Sequence, residues 1–397
     1  MKIVLIQLWH SENMGYTDNM LPKYLAKLGH EVHLITSNGQ IYFNSPEYSE
    51  VYEDALGGPI VGCGVKKKDG YYLHRLPFYN YCPFKKFVHR FEYFGILGVY
   101  EYLEKIKPDI IQTLYINTIS SYHAAKYAKD FSVSLFTECH IHKSVFNPKN
   151  KLINQIYNNI NPFLRKINNQ TKYCYAIASD VEQIVRDYYK LPSSKIKLES
   201  LGVDTEVFYP ALNENEIKEK RKDLGFDDND IIVIYTGRFT KDKNPHCLAN
   251  AIEILQHKSL SYKAIFIGSG NSFDNKYLAS KKGTTVISFL STKELAVYYQ
   301  IANIGVWPRQ ESTSQLDAMA CGLPLILSNK IEALERIDGN GYLYNEDDSE
   351  DLAKKIHKMF VSNDIYSFSK KSSEKIKKDY SWLSIAENRI KDYNNTN

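Results

Sequence analysis

The chain has 397 residues, 43% of them apolar and 24% charged, with a formal net charge of +4. That length exceeds what one hydrophobic core serves, so two domains are expected, and the composition is that of a globular enzyme. No run approaches the ~18–20 apolar residues that span a bilayer, and MKIVLIQLWH enters a strand pattern without a secretory leader. Cys63, Cys82, Cys139, Cys174, Cys247 and Cys321 form no CxxC pair. They read as reduced cytosolic thiols, neither a disulfide frame nor a zinc site. Residues 1–200 carry 24 Lys/Arg against 18 Asp/Glu, and the remainder 26 against 28. A basic first half points to an anionic partner there.

KIVLIQL (2–8) reads as a buried strand, followed by the polar loop HSENMGYTDN and the helix MLPKYLAKLG, with Gly29 as its C-cap. HEVHLITS (30–37) is the next strand, completing a βαβ unit and implying a parallel sheet. The alternation continues through strands at 108–114, 133–140, 171–180 and 196–204, with helices at 120–130 and 181–191. In the second half, strands are expected at 230–239, 262–270, 284–290 and 303–308, separated by helices at 246–257, 273–282 and 292–302. YSWLSIAENRIKDY is a terminal helix. The domain boundary is expected near 205–225, in the polar segment TEVFYPALNENEIKEKRKD. The expected architecture is two doubly wound parallel sheets, with the ligand in a cleft between them at the strands' carboxyl ends.

Several clusters fall at such ends. In GRFTKDKN (237–244), a glycine, Arg238 and Lys243 follow a strand. Arg offers a planar fork and Lys a point charge, a pair suited to a diphosphate. The competing reading is a solvated basic turn. In ESTSQLDAMACGLPLILS (311–328), Ser312, Thr313 and Ser314 offer N–H groups to phosphate. Asp317, taken to begin the helix DAMACG, suits a ribose diol, and Glu311 a hexose. An N-capping cluster that merely starts a helix competes with this. Gly15, in SENMGYT after the first strand, permits close backbone approach to a ligand. In TECHIH, His140 follows a strand end; a polar contact in the cleft fits better than a metal, because no further His or Cys completes a site. Finally, 66–91 combines seven Lys/Arg with many aromatic rings, and 143–172 holds six Lys/Arg and no acid. Both suit anionic lipid headgroups; a nucleic acid would also suit the mixture of cations and rings, and a solvated face over core aromatics is the competing reading.

Taken in order, these segments resemble family 4 of the GT-B glycosyltransferases over nearly the whole chain. The likeness lies in MGYTDNMLPKYLAKLGHEVHLITS, SLGVDTEVFYP, GRFTKDK, AMACGLPLIL and DGNGYLY. It implies a domain at 1–206 that receives the acceptor, joined by the terminal helix 379–397, and a donor domain at 207–378. It implies retaining transfer of a hexose-type sugar from a nucleotide diphosphate sugar, UDP-linked above all. The acceptor would be a glycan or lipid-linked glycan of bacterial surface polysaccharide or lipopolysaccharide synthesis. Arg238 and Lys243 would hold the donor diphosphate with the backbone at Gly15. Asp317 would bind ribose, Leu290 would meet the base, and His140 the donor sugar. Two departures stand out. Arg309 occupies the place of the family's first glutamate, with Glu311 two positions away, and Ser312 replaces a glycine.

No DxD motif is read as a divalent-ion site, so neither metal nor other cofactor is expected, the nucleotide-sugar being a co-substrate. Nucleic acid is not an expected partner. The expected location is cytoplasmic, with possible peripheral contact at the inner membrane face through 66–91 and 143–172. Two rival readings remain: a nucleotide-sugar epimerase on the same fold, which would need acid/base carboxylates in the cleft, and a non-catalytic sugar-binding relative, suggested by Arg309.

Overall fold

A computed structural model describes residues 1–12, 14–45, 48–81, 92–143, 146, 159, 161–211, 213–258 and 260–395. The chain divides into two compact units, Met1–Leu201 with Ile385–Asn397, and Gly202–Ser384.

The first unit's strands are β1 (Lys2–Gln7), β2 (Glu31–Ser37), β3 (Gly64–Lys68), β4 (Tyr71–Leu76), β5 (Phe78–Asn80), β6 (Phe94–Ile96), β7 (Ile110–Thr113), β8 (Ser134–Cys139), β9 (Thr171–Ala176) and β10 (Ile196–Leu198). Eight of them form one sheet in the order β10-β9-β8-β7-β1-β2-β4-β3, with β5 and β6 pairing separately. All the sheet's pairs are parallel except β3 with β4. The order reverses between β1 and β7, and at such a switch point the loops leaving two neighbouring strands diverge and open a crevice. Apolar β1 side chains such as Val4 and Ile6 are buried in a core shared with the helices Val99–Ile106 and Ile119–Phe131.

Three expectations change here. The first helix is Thr17–Lys27, not Met20–Gly29; Thr17 and Asp18 join its first turn, where an acid complements the helix dipole. Gly29 follows the helix end with φ of +85°. The segment 196–204 is strand for only three residues, Ile196–Leu198. The run 66–91 is no uniform surface. β4 lies inside the sheet with Tyr71, Leu73, His74 and Arg75 buried, while Lys66 and Lys68 on edge strand β3 pair with Glu12. Lysines on an edge strand also discourage unwanted strand pairing. Residues 82–91, and most of 144–160, lie outside the described residues.

The second unit is built on β11 (Ile231–Thr236), β12 (Tyr262–Ile267), β13 (Thr284–Ile287), β14 (Ile304–Trp307), β15 (Leu325–Ser328) and β16 (Gly341–Tyr344). These six strands run parallel in the order β13-β12-β11-β14-β15-β16, so the switch point falls between β11 and β14. Both strands are fully buried, as uninterrupted apolar runs in a sheet covered on two faces should be. The charged segment read as a linker folds into the helix Glu214–Asp223. Arg221 anchors it, donating through Nε and a terminal nitrogen to the Ile301 carbonyl at 3.0 and 2.7 Å.

Candidate active site

The second unit's switch point collects most of the residues singled out by sequence. β11 ends at Thr236 and β12 at Ile267, and each is followed by a glycine with strongly positive φ, Gly237 at +145° and Gly268 at +149°. A Cβ on Gly268 would lie 2.0 Å from the Gly237 carbonyl oxygen, so the two chains can leave the sheet side by side only without that atom. Phe239 is fully buried beneath the basic loop, and the Tyr235 hydroxyl donates to the Arg238 carbonyl at 2.8 Å. Packing thus fixes the loop's backbone while the Arg238 side chain stays 68% exposed, with Asp242 at 3.7 Å.

Lys243 is placed differently. Its Nζ donates to the Glu311 carbonyl at 2.9 Å, and burial lowers its pKa. A half-buried ammonium satisfied by a carbonyl gains most from an approaching anion. These two cations and the loop 309–314 therefore meet at the strand ends.

That loop is held by its own polar residues. Trp307 Nε1 donates to the Thr236 carbonyl and to Ser314 Oγ, each at 3.0 Å, and the Ser312 and Ser314 hydroxyls lie 2.7 Å apart. Ser312 and Ser314 therefore fasten the β14 exit to the β11 exit, leaving their backbone rather than their hydroxyls for a ligand. Thr313 is exposed at the N-cap position of the helix Ser314–Ala320. Glu311 Oε1 accepts from the backbone N–H groups of Glu332 and Ala333 at 2.6 and 3.2 Å.

Arg309 is a clasp. It binds both Asp347 oxygens, through Nε at 2.8 Å and through a terminal nitrogen, and its other terminal nitrogen donates to the Lys241 carbonyl at 3.1 Å. Its three nitrogens thus join the basic loop to the turn after β16. Leu290 is half-buried in the loop after β13, beside Phe289, which is 72% exposed.

Asp317 is expected to begin its helix, but the helix starts at Ser314 and Asp317 closes its first turn. Its carboxylate has no hydrogen bond among the described residues. Burial first, and the nearby charge of Asp204 second, push its pKa up to about 7. Such a carboxylate is poised to accept hydrogen bonds from a ligand's hydroxyls.

Two supporting residues escaped the sequence reading. Arg336 is buried and donates to the Ser312 carbonyl at 3.1 Å and to Gln315 Oε1 at 3.2 Å, bracing the loop from beneath. Asp204 lay in the quoted GVD segment, but nothing local announced its proximity to Asp317.

In the first unit, Gly15 has φ of +68° and nothing within 4 Å of a Cβ built on it. His140 follows β8, with its Nε2 3.0 Å from a Glu138 oxygen and its ring 5.7 Å from that of Tyr115. Tyr115 leaves β7, so both rings stand by the first unit's switch point. Among the described residues, no group of three or more His, Cys, Asp or Glu could hold a metal ion, and no helix is long and apolar enough to cross a membrane.

The family described as Glycosyl transferases group 1 matches residues 216–379, and Glycosyltransferase Family 4 matches residues 20–207. Spore coat protein SA of Bacillus subtilis is 26% identical over 239 residues, 55% of this chain and 63% of that one. The UDP-Gal:alpha-D-GlcNAc-diphosphoundecaprenol alpha-1,3-galactosyltransferase of Escherichia coli is 26% identical over 265 residues, 63% of each chain. Both matches take in just under two thirds of the relative's own length. The crystal structure of Anabaena HepE in complex with UDP superposes with a TM-score of 0.67 over 100% of both chains at 14% identity, a likeness of fold. The chain belongs to the group 1, family 4 glycosyltransferases of the GT-B fold.

Proposed function

We propose that this protein transfers a hexose-type sugar from a UDP-sugar to a glycan or lipid-linked acceptor, with retention of anomeric configuration and without a metal ion. The reading is carried by one observation, the convergence of Arg238 and Lys243 with the 309–317 segment at the switch point between β11 and β14. In that arrangement the diphosphate lies against the two cations and the ribose diol donates to Asp317. The difficult step is cleavage of the bond between the sugar's anomeric carbon and the diphosphate. Fixed cations facing the developing charge stabilise it by roughly 2–4 kcal/mol for each well-placed donor. The acceptor hydroxyl attacks from the face the diphosphate leaves, and a departing phosphate oxygen takes its proton, so no protein nucleophile is required.

The choice of UDP, and of a lipid-linked acceptor in bacterial surface polysaccharide synthesis, follows the activities and ligands of the relatives and is an inference for this chain. The lysines of β3 and the basic residues of 143–172 would guide an anionic, membrane-borne acceptor. Arg309 lends no support to a non-catalytic relative, because its bonds to Asp347 and Lys241 account for its presence.

A thermal-shift screen across nucleotide-sugars tests the donor, since a ligand bound only by the folded state raises Tm. UDP-sugars are expected to raise it and guanosine or adenosine counterparts not. NMR of the transfer product then reads the anomeric configuration. No shift with any UDP-sugar, or inversion in the product, refutes the corresponding part of the proposal.

A further inference from the structure

His140 is joined to the far end of the chain by a buried polar network within the first unit. Glu138, on β8, points one carboxylate oxygen at His140 Nε2 (3.0 Å) and at a terminal nitrogen of Arg389 (3.4 Å). Its other oxygen accepts from Gln112 Nε2, on β7, at 3.0 Å. Gln112 Oε1 in turn accepts from the Tyr393 hydroxyl. Arg389 and Tyr393 lie four residues apart on the closing helix Trp382–Asn394, so both reach one side of it. Arg389 also meets Glu199 Oε2 at 2.9 Å, and its guanidinium lies over the Tyr175 ring, 3.1 Å from the centroid. Glu138, Arg389 and Tyr393 are each no more than 1% exposed.

The charge balance here is tight. One buried guanidinium faces two carboxylates, the buried Glu138 and the partly exposed Glu199. Burial opposes ionisation of Glu138, but Arg389, and then His140, outweigh it and hold its pKa below the ordinary value. Burial raises Glu199 in spite of Arg389, so Glu138 is the carboxylate kept ionised. An ionised carboxylate only accepts hydrogen bonds. An ionised carboxylate oxygen 3.0 Å from Nε2 favours the proton of a neutral His140 on that nitrogen by charge, although the two are not aligned as a hydrogen bond, and this leaves Nδ1 as the ring's acceptor. If Arg389 were lost, a buried Glu138 would take up a proton and become a donor. His140 would move its own proton to Nδ1, reversing the polarity it offers a ligand.

We propose that Arg389, on the closing helix, is a positioning residue that fixes the tautomer of His140 through Glu138. Its importance for transfer rests on the glycosyltransferase reading above, whereas the tautomer does not depend on it.

The test is ¹⁵N NMR of histidine-labelled full-length protein at pH 8.5, with the His140 signals assigned by their loss in His140→Gln. The wild type is expected to carry Nε2–H alone, and Arg389→Gln to carry Nδ1–H. Tyr393→Phe loosens the same helix without touching the charges and is expected to keep Nε2–H. A wild-type Nδ1–H, alone or with Nε2–H, overturns the proposal even if Arg389→Gln does not fold. An unchanged tautomer in a folded Arg389→Gln overturns it too. In the transfer assay, Arg389→Gln is expected to lower kcat roughly 10–100-fold, with the UDP-induced Tm shift unaltered. Absence of transfer in the wild type would refute the functional reading and leave the tautomer result to decide this one.

Discussion

The perturbed carboxylate of Asp317 makes a quantitative prediction about stability and binding together. Its pKa in the folded protein is about 7, against an ordinary 3.8, owing first to burial and then to Asp204. The folded state therefore holds a proton between those values that the unfolded chain has released, and stability falls as pH rises through that window. Three pH units at ~1.4 kcal/mol each give a cost of about 4 kcal/mol at pH 8. Asp317→Asn removes the charge. A partly buried amide without partners returns about 1–3 kcal/mol of that, leaving a net gain of about 1–3 kcal/mol. For a unit of this size the gain corresponds to a Tm increase of roughly 2–12 °C. Differential scanning fluorimetry from pH 5 to 8.5 reads it. The gap between the two proteins should widen as pH rises from about 4 to about 7 and stay constant above that. UDP supplies the missing donors, so its stabilisation of the wild type should grow as pH rises towards about 7 and level off above it, and should be much smaller in Asp317→Asn. A Tm difference that is constant with pH would refute the burial argument. Equal UDP stabilisation of both proteins would refute the ribose assignment.

The remaining predictions concern the loops around that carboxylate and the first unit's charges. Arg238→Ala or Lys243→Ala should lower kcat by about 10²-fold or more in a UDP-release assay, and wild-type turnover in both would remove the diphosphate assignment. Arg309→Ala breaks the clasp to Asp347 and Lys241 and should cost about 1–2 kcal/mol of stability while changing UDP affinity little; a large loss of affinity without loss of Tm would mean that Arg309 reads the donor. Gly268→Ala forces the new methyl group against the Gly237 carbonyl and should destabilise the second unit by about 2–4 kcal/mol, seen as a lower midpoint in urea. Co-sedimentation with anionic vesicles at low salt should pull down the wild type, and binding that survives 0.5 M salt undiminished would argue against an electrostatic membrane contact.

Most of the second unit is legible in the sequence because its signals are local. A parallel sheet buries each strand on both faces, so IIVIYT and LILS stand out as uninterrupted apolar runs, and the loops that follow them carry the chemistry. What could not be read was which polar residues face a ligand and which hold the loop. Ser314, Glu311 and Arg309 all carry groups suited to sugar or phosphate, yet each meets a partner from a distant segment: Thr236, the 332–333 backbone and Asp347. The same problem ran the other way at 66–91, where a basic and aromatic composition concealed the buried strand β4, because cations on a neighbouring edge strand and core tyrosines give one undivided pattern. His140 marks the limit most sharply. Its position after a strand was visible, but its hydrogen-bonding state depends on Arg389, some 250 residues later in the chain and adjacent only because the closing helix returns to the first sheet. Local pattern finds the residues of this site; their protonation is set by contacts that only the fold creates.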